Sequence, residues 1–375
     1  MTVLFYHLIL TDSCNLCCSY CRGKAFALED ESPGAVDVDI GLPPDFDLDL
    51  GILFRFLGKD PDAVLTFYGG EPLLRDDLVR QIMDRAPVKR YMIQTNGLRL
   101  DRLGPEYLMR FETILVSLDG SPDLTDRNRG EGVYRRVMRN VQALRDCGAQ
   151  GELIARMTVT ETTDIHREVQ FLADNNDYSF GSIHWQIDAN FWADYRQRSF
   201  REWVETSYNP GIRLLVREWV ERMQDEGSVQ KWYPFLGTVR DLLADRPSPL
   251  RCGAGHSNYT ILTDGHIVPC PVMIGMKKYY LGHVAVSDPR DLPRFEYDRN
   301  CEGCGISSFC GGRCLYANLV NPWPPDHRKI VCSTVQNLHD ALRTEIPRIK
   351  ELISGGVLRE EDFQYTRYNG CEIIP

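Results

Sequence analysis

The sequence predicts an α/β fold: a partial (β/α)6 barrel followed by a C-terminal cysteine-rich domain. Three observations predict it. Short β-rich runs alternate with helical stretches through the first half of the chain, the signature of βαβ units. The run Asp245-Arg246-Pro247-Ser248-Pro249 breaks the helical pattern before it, because its prolines cannot continue a helix. From Arg251 to about Val331, glycine, proline and cysteine are dense and hydrophobic periodicity is weak.

The strands are expected at 3–9, 64–68, 90–95, 113–118, 152–158 and 183–187, with helices between them at 74–85, 133–147 and 164–175. Residues 196–246 read as a helical bridge in which Trp203, Leu214, Trp219 and Met223 form an apolar core stripe. After Cys332 a helical pattern resumes to 353 through Leu338, Leu342, Ile346, Ile349 and Ile353, and a polar, aromatic tail follows. The expected domains are therefore a barrel (1–195), a bridge (196–250), a cysteine-rich domain (251–335) and a terminal helix with tail (336–375). No repeat or low-complexity segment interrupts them.

The chain has 375 residues, 43% hydrophobic and 26% charged, which is ordinary globular composition. The 43 Lys and Arg against 53 Asp and Glu give a net charge of −10, scattered along the chain. No basic face offers itself to nucleic acid or to anionic lipid. No apolar run reaches the roughly 18 residues a membrane span requires, and Met1 to Tyr6 lack the basic start of a secretory signal. A cytoplasmic protein is expected. There are 13 cysteines, and a chain in a reducing compartment has little use for disulfides, so metal is the leading explanation. The 251–331 segment lacks the apolar surface to fold by burial alone, a deficit that metal would supply.

The cysteines fall into two sets. Cys14-x3-Cys18-x2-Cys21 directly follows the first strand, with Cys17 inside it. Read alone, this loop holds either a zinc ion, with Cys17 as fourth thiolate, or a four-iron cluster on three thiolates with one iron left open. The second strand ends in Gly69-Gly70-Glu71-Pro72, the third in Gln94-Thr95-Asn96-Gly97 and the fourth in Ser117-Leu118-Asp119-Gly120. Each is by itself a turn. Together on one rim they mark a site, because parallel barrels hold their ligands at the carboxyl ends of the strands. The run Asp126 to Gly130 reads as a solvated loop after the fourth strand.

The cysteine loop, with Tyr20 before its last cysteine, and the Gly69-Gly70-Glu71-Pro72 turn together resemble the radical S-adenosylmethionine (SAM) superfamily. The resemblance implies that Cys14, Cys18 and Cys21 hold a [4Fe-4S] cluster whose open iron takes the amino and carboxylate groups of SAM. It implies that Glu71 and the backbone of Gly69 and Gly70 receive the SAM amino group, that Ser117 meets the ribose and that Arg156 pairs with the carboxylate. Gln94 and Gln186 are weaker correspondences near the cofactor, and Cys17 stands where relatives often carry a basic residue.

The second set, Cys252-x12-Gly265-x4-Cys270, Cys301-x2-Cys304-x5-Cys310-x3-Cys314 and Cys332, resembles the SPASM domain of peptide-modifying radical SAM proteins. It implies two auxiliary [4Fe-4S] clusters, three clusters in all. Cys301, Cys304, Cys310 and Cys332 would complete one, and Cys252, Cys270 and Cys314 would hold the other with a vacancy open to a peptide group, solvent, Cys147, Cys371 or His256. Sulfatase-maturing relatives place an aspartate after the cysteine that here precedes Pro271, so formylglycine formation is disfavoured. The chain resembles archaeal peptide-modifying radical SAM/SPASM proteins, a group that includes cyclopropylglycine synthases. This implies a ribosomally made precursor peptide as substrate, an external electron donor of the ferredoxin or flavodoxin type, and oxidative bond formation. Thioether formation, crosslinking, epimerisation and cofactor biosynthesis are the alternatives. No stretch is left for a separate peptide-recognition domain of about 80 residues, so leader binding would use the bridge, the tail or a partner.

Overall fold

The computed structural model describes residues 3–21, 38–188, 198–248, 250–295, 301, 303–320 and 323–366. Along the chain run β1 (Phe5–Ile9), α1 (Leu50–Leu57), β2 (Val64–Tyr68), α2 (Asp76–Arg85), β3 (Arg90–Thr95), α3 (Pro105–Leu108), β4 (Phe111–Ser117), α4 (Pro122–Arg129) and α5 (Val133–Asp146). Then come β5 (Glu152–Val159), α6 (Ile165–Ala173), β6 (Ser182–Ile187), α7 (Phe200–Trp203), α8 (Asn209–Glu226), β7 (Lys231–Trp232) and α9 (Tyr233–Leu243). The last part holds β8 (Asn258–Ile261), β9 (His266–Val268), β10 (Gly282–His283), α10 (Ser307–Cys310), α11 (Leu315–Val320) and α12 (Pro325–Ser354). The fold is α/β with a mixed sheet, and β1 to β6 alternate with helices in the order the sequence predicts.

Two compact units divide the chain. The first comprises the described residues within Met1–Leu118, Thr125–Ile154 and Gly253–Glu296. In it β1 pairs in parallel with both β2 and β8, and β2, β3 and β4 follow in parallel, while β8, β9 and β10 are antiparallel. Every residue of β1 is buried, as a strand covered on both faces requires. Phe67 stacks on Tyr91 and meets Phe111 edge-on, with centroids 6.0 and 6.2 Å apart. Asp49 caps α1 by accepting the Ile52 N–H at 3.2 Å, one of the donors a helix start leaves unpaired.

The second unit comprises the described residues within Asp119–Leu124, Ala155–Cys252 and Tyr297–Pro375. Here β6 pairs in parallel with β7, and Trp185, Trp219 and Phe235 form an aromatic centre with centroids 5.0 and 5.5 Å apart. Buried Arg251 ties the chain beyond the bridge back to α9 and α10, giving one hydrogen bond to Asp241 at 2.9 Å and two to the Phe309 carbonyl at 2.9 and 3.2 Å.

Several expectations change. β8 pairs with β1, and the described residues within Gly253–Glu296 belong to the first unit. The last long helix starts at Pro325 rather than after Cys332: Pro325 stands in the first turn, where its fixed φ and missing N–H suit a helix start. In the bridge Trp203, Trp219 and Met223 are buried, but Leu214 is exposed. The expected loop at 126–130 is mostly the end of α4, with Asn128 and Arg129 buried. Tyr365 of the tail packs on α9, its ring 4.7 Å from the Arg240 guanidinium and edge-on to Tyr233. Cys371, Tyr368, Ile373 and Ile374 lie outside the described residues.

Candidate functional site

The cysteine loop leaves the end of β1 and is braced by its neighbours' backbones. Gly70 N–H donates to the Thr11 carbonyl at 2.8 Å and Glu71 N–H to the Ser13 carbonyl at 2.9 Å. The glycines are needed for this approach. A Cβ on Gly69, whose φ is +147°, would stand 2.3 Å from the Thr11 oxygen, and one on Gly70 would stand 2.3 Å from the Ser13 oxygen. The segment before Cys14 is thus held against the turn after β2, and the Gly70 and Glu71 N–H groups are spent on holding it.

Glu71 is fully buried. Its carboxylate accepts from Leu73 N–H at 3.0 Å, Thr95 Oγ1 at 2.8 Å and Asn96 N–H at 2.7 Å. Burial raises its pKa, and the donors on Asn96, Leu73 and Thr95 pull against that shift. The side chain of Asn96 then completes a bridge to the cysteines. Its Nδ2 donates to Asn15 Oδ1 at 2.8 Å and to Cys14 Sγ at 3.7 Å, and Leu16 N–H donates to the same sulfur at 3.4 Å. Burial raises the Cys14 thiol pKa, opposed by these two donors.

The far side of the loop is clamped by α4, which sequence reading took for solvated chain. Ser19 N–H donates to the Asn128 carbonyl at 2.8 Å, and the Arg129 guanidinium lies 5.5 Å from the centre of the Tyr20 ring. Cys18 and Cys21 are joined by a turn, Cys21 N–H to Cys18 O at 2.9 Å. Cys14, Cys17 and Cys21 are exposed and Cys18 is half-buried, none of them in a disulfide. Gln94 and Ser117, on β3 and β4, are half-buried.

In the second unit, Arg156 Nη2 donates to Gln186 Oε1 at 2.9 Å, while its buried Nε has no hydrogen-bond partner among the described residues. Fully buried Asp119 accepts the Thr158 N–H at 3.1 Å. At Gly120, φ +133°, a Cβ would meet the Glu168 carboxylate at 2.3 Å, and that carboxylate also accepts the Ser121 N–H at 2.6 Å. The Asp119-Gly120 turn is therefore a braced turn whose acid is already engaged.

Cys301, Cys304, Cys310 and Cys332 line one cavity of about 80 Å³, and Cys314 lines it with them. The SPASM resemblance implies that Cys314 belongs instead with Cys252 and Cys270. Cys252 lies in the second unit and Cys270 in the first. The remaining wall combines apolar Ile306, Trp323, Val331 and Val335 with polar Ser307, Arg313, Asn318 and Arg328. Burial pushes the Cys310 thiol up to about 11 and also raises Cys301 and Cys332. Cys147 donates its thiol to the Leu144 carbonyl at 3.1 Å, and His256 Nδ1 is 2.9 Å from Ser257 Oγ. Among the described residues no three His, Cys, Asp or Glu side chains converge on a position for a single metal ion. A four-iron cluster makes a different demand, since each thiolate takes its own iron. Thiols gathered at one loop and around one cavity are the donor set such a cluster uses.

Residues 8–169 match the family model described as the Radical SAM superfamily. The matched stretch is less than half of the chain. Within curated proteins, an uncharacterized protein of Methanothermobacter thermautotrophicus is 31% identical over 108 residues, covering 27% of this chain and 41% of that protein. A GTP 3',8-cyclase of Pectobacterium atrosepticum is 29% identical over 154 residues, covering 38% and 44%. These matches span less than half the length of either relative. Among solved structures, anSMEcpe with bound AdoMet superposes with a TM-score of 0.69 at 16% identity, covering 95% of this chain and 97% of that one. SuiB of Streptococcus suis bound to its precursor peptide SuiA gives 0.54 at 17% identity, covering 85% and 73%. The matched residues run from the end of β1 through β5, and so include the cysteine loop and both glycine-braced turns. No described helix is long and apolar enough to cross a membrane.

Proposed function

We propose that the chain is a radical SAM peptide maturase that oxidatively forms a new bond in a ribosomally made peptide. The observation that carries this reading is the bracing of the Cys14, Cys18 and Cys21 loop by Gly70, Glu71, Asn96 and Arg129, joined to a second thiol-lined cavity at Cys301, Cys304, Cys310 and Cys332. In this reading the three loop cysteines hold the SAM-binding [4Fe-4S] cluster, and the later cysteines, with Cys252 and Cys270, hold two auxiliary clusters of a SPASM domain. With reducing equivalents from an external ferredoxin or flavodoxin, the bound cluster and SAM supply a 5'-deoxyadenosyl radical able to take hydrogen from an unactivated carbon.

The protein's own residues position and shield. Glu71 holds the turn whose backbone faces the cysteine loop, and Gln94 and Ser117 stand at the ends of the next strands for the SAM methionine and ribose groups. Arg156 has a buried Nε to spare, suited to a carboxylate, with Gln186 fixing its orientation. Closure of a peptide radical onto a neighbouring atom releases one electron and one proton, and an auxiliary cluster is a fitting electron acceptor. Solved structures of the same fold named for SuiA and for a Cp18Cys peptide support a peptide substrate. Cyclopropylglycine formation from valine is the product to test first, with thioether formation, crosslinking and epimerisation after it.

The test is the mass of a short peptide encoded beside this gene, after anaerobic co-expression with the wild-type chain or with Cys14→Ala/Cys18→Ala/Cys21→Ala. Loss of a pair of hydrogens with the wild type alone is expected, and fragmentation then places the bond. An unchanged mass without deuterium uptake from solvent would overturn the peptide assignment.

A further inference from the structure

The five-cysteine cavity is not lined by thiols alone. Two arginines stand among them. Arg328 Nη2 donates to Asn318 Oδ1 at 3.4 Å, and its charge acts on Cys301. Arg313, between Cys310 and Cys314 in sequence, lines the cavity with φ at +54°, in the left-handed region. For a residue with a Cβ that conformation is strained. Asn318 Nδ2 bonds the Gly312 carbonyl next to it, so the unusual turn is held from outside. The Arg313 Nε is buried and has no hydrogen-bond partner among the described residues. Its charge acts on Cys310 and Cys332.

A buried guanidinium N–H without an acceptor is expensive, and here the backbone is strained to put it there. A cluster on four thiolates carries net negative charge and presents sulfurs as acceptors. The cavity therefore offers Arg313 both missing partners once it is filled. We propose that Arg313 sets the reduction potential of the cluster held by Cys301, Cys304, Cys310 and Cys332, raising it so that the cluster accepts an electron more readily. This rests on reading the cavity as a cluster site. The step is a one-electron reduction with no proton moved: the incoming electron adds negative charge, and a cation within the cavity wall stabilises the reduced form more than the oxidised one.

The experiment is an anaerobic redox titration, followed by electron paramagnetic resonance, of the full chain carrying Cys14→Ala/Cys18→Ala/Cys21→Ala and reconstituted with iron and sulfide. Removing Cys301 and Cys304 identifies which signal belongs to the cavity. In Arg313→Gln that signal is expected at unchanged iron content and lower potential, with the reduced-to-oxidised ratio at fixed potential down about tenfold, which is ~59 mV for a one-electron couple. An unchanged midpoint overturns the inference. If Arg313→Gln cannot hold iron, Arg313→Met decides, because it keeps an unbranched side chain and removes the charge: a lower midpoint supports the inference and an unchanged one overturns it. A parent protein with no cavity signal would overturn the cluster reading itself, and the inference with it.

Discussion

The Glu71 carboxylate accepts the Asn96 backbone N–H at 2.7 Å, and the Asn96 side chain in turn reaches Cys14 Sγ at 3.7 Å. A buried acid on one strand-end turn thereby fixes the turn of the next strand, which contacts the first cysteine. Glu71→Ala leaves the Asn96, Leu73 and Thr95 donors unpaired in the interior, a loss of about 1–3 kcal/mol for each group that finds no water. The denaturation midpoint is expected to fall and iron at the first site to fall with it. An alanine variant as stable as the wild type would remove Glu71 from this role.

The same residue carries a pH dependence. Burial raises the Glu71 pKa in the folded chain, so the native state keeps this proton to higher pH than the unfolded state does. Stability from this group is present below the unfolded value, about 4.3, and is lost as pH rises through the raised folded value. Glu71→Gln cannot titrate, and denaturation curves across that interval should show a shallower fall with pH than the wild type.

Gly70→Ala sets a methyl group 2.3 Å from the Ser13 oxygen and 2.6 Å from the Asp12 oxygen. Both are backbone atoms, so the cysteine loop itself must move. Overpacking of this kind costs about 1–3 kcal/mol. Iron analysis should show selective loss from the first site, with iron at the Cys301, Cys304, Cys310 and Cys332 cavity retained.

Arg129→Ala removes the cation above Tyr20, worth about 0.5–1 kcal/mol at a partly exposed ring. The global effect is small, but the loop that carries Cys18 and Cys21 loses its cover. The first cluster should bleach faster in air than in the wild type, while Arg129→Lys recovers part of the protection. Absorbance decay after air exposure measures both.

Arg156→Ala withdraws the guanidinium proposed for the SAM carboxylate and leaves Gln186 Oε1 without its donor. A rise of tenfold or more in KM for SAM is expected at unchanged iron content, with a smaller rise for Gln186→Ala. An unchanged KM would reduce Arg156 to a strand-to-strand tie.

The bounds of β2 and β3 were legible in the sequence, because each is an apolar run that ends abruptly in a glycine-bearing polar turn. The cysteine spacings were equally legible. Polarity along the chain said nothing, however, of what covers a residue. Asn128 and Arg129 look like loop residues, yet Ser19 and Tyr20, more than a hundred positions away, close over them. Leu214 sits in an apolar pattern and still faces out.

By itself the sequence determined the α/β alternation, the thiol sets and the glycines that permit close backbone approach, since periodicity, ligand chemistry and the lack of a Cβ are local properties. Only the tertiary structure decided that the Glu71 carboxylate is spent on Asn96, that Cys314 shares a cavity with four other cysteines and that Arg313 stands over it. Those are pairings between segments distant in sequence, and burial and hydrogen-bond satisfaction are settled only when such segments meet.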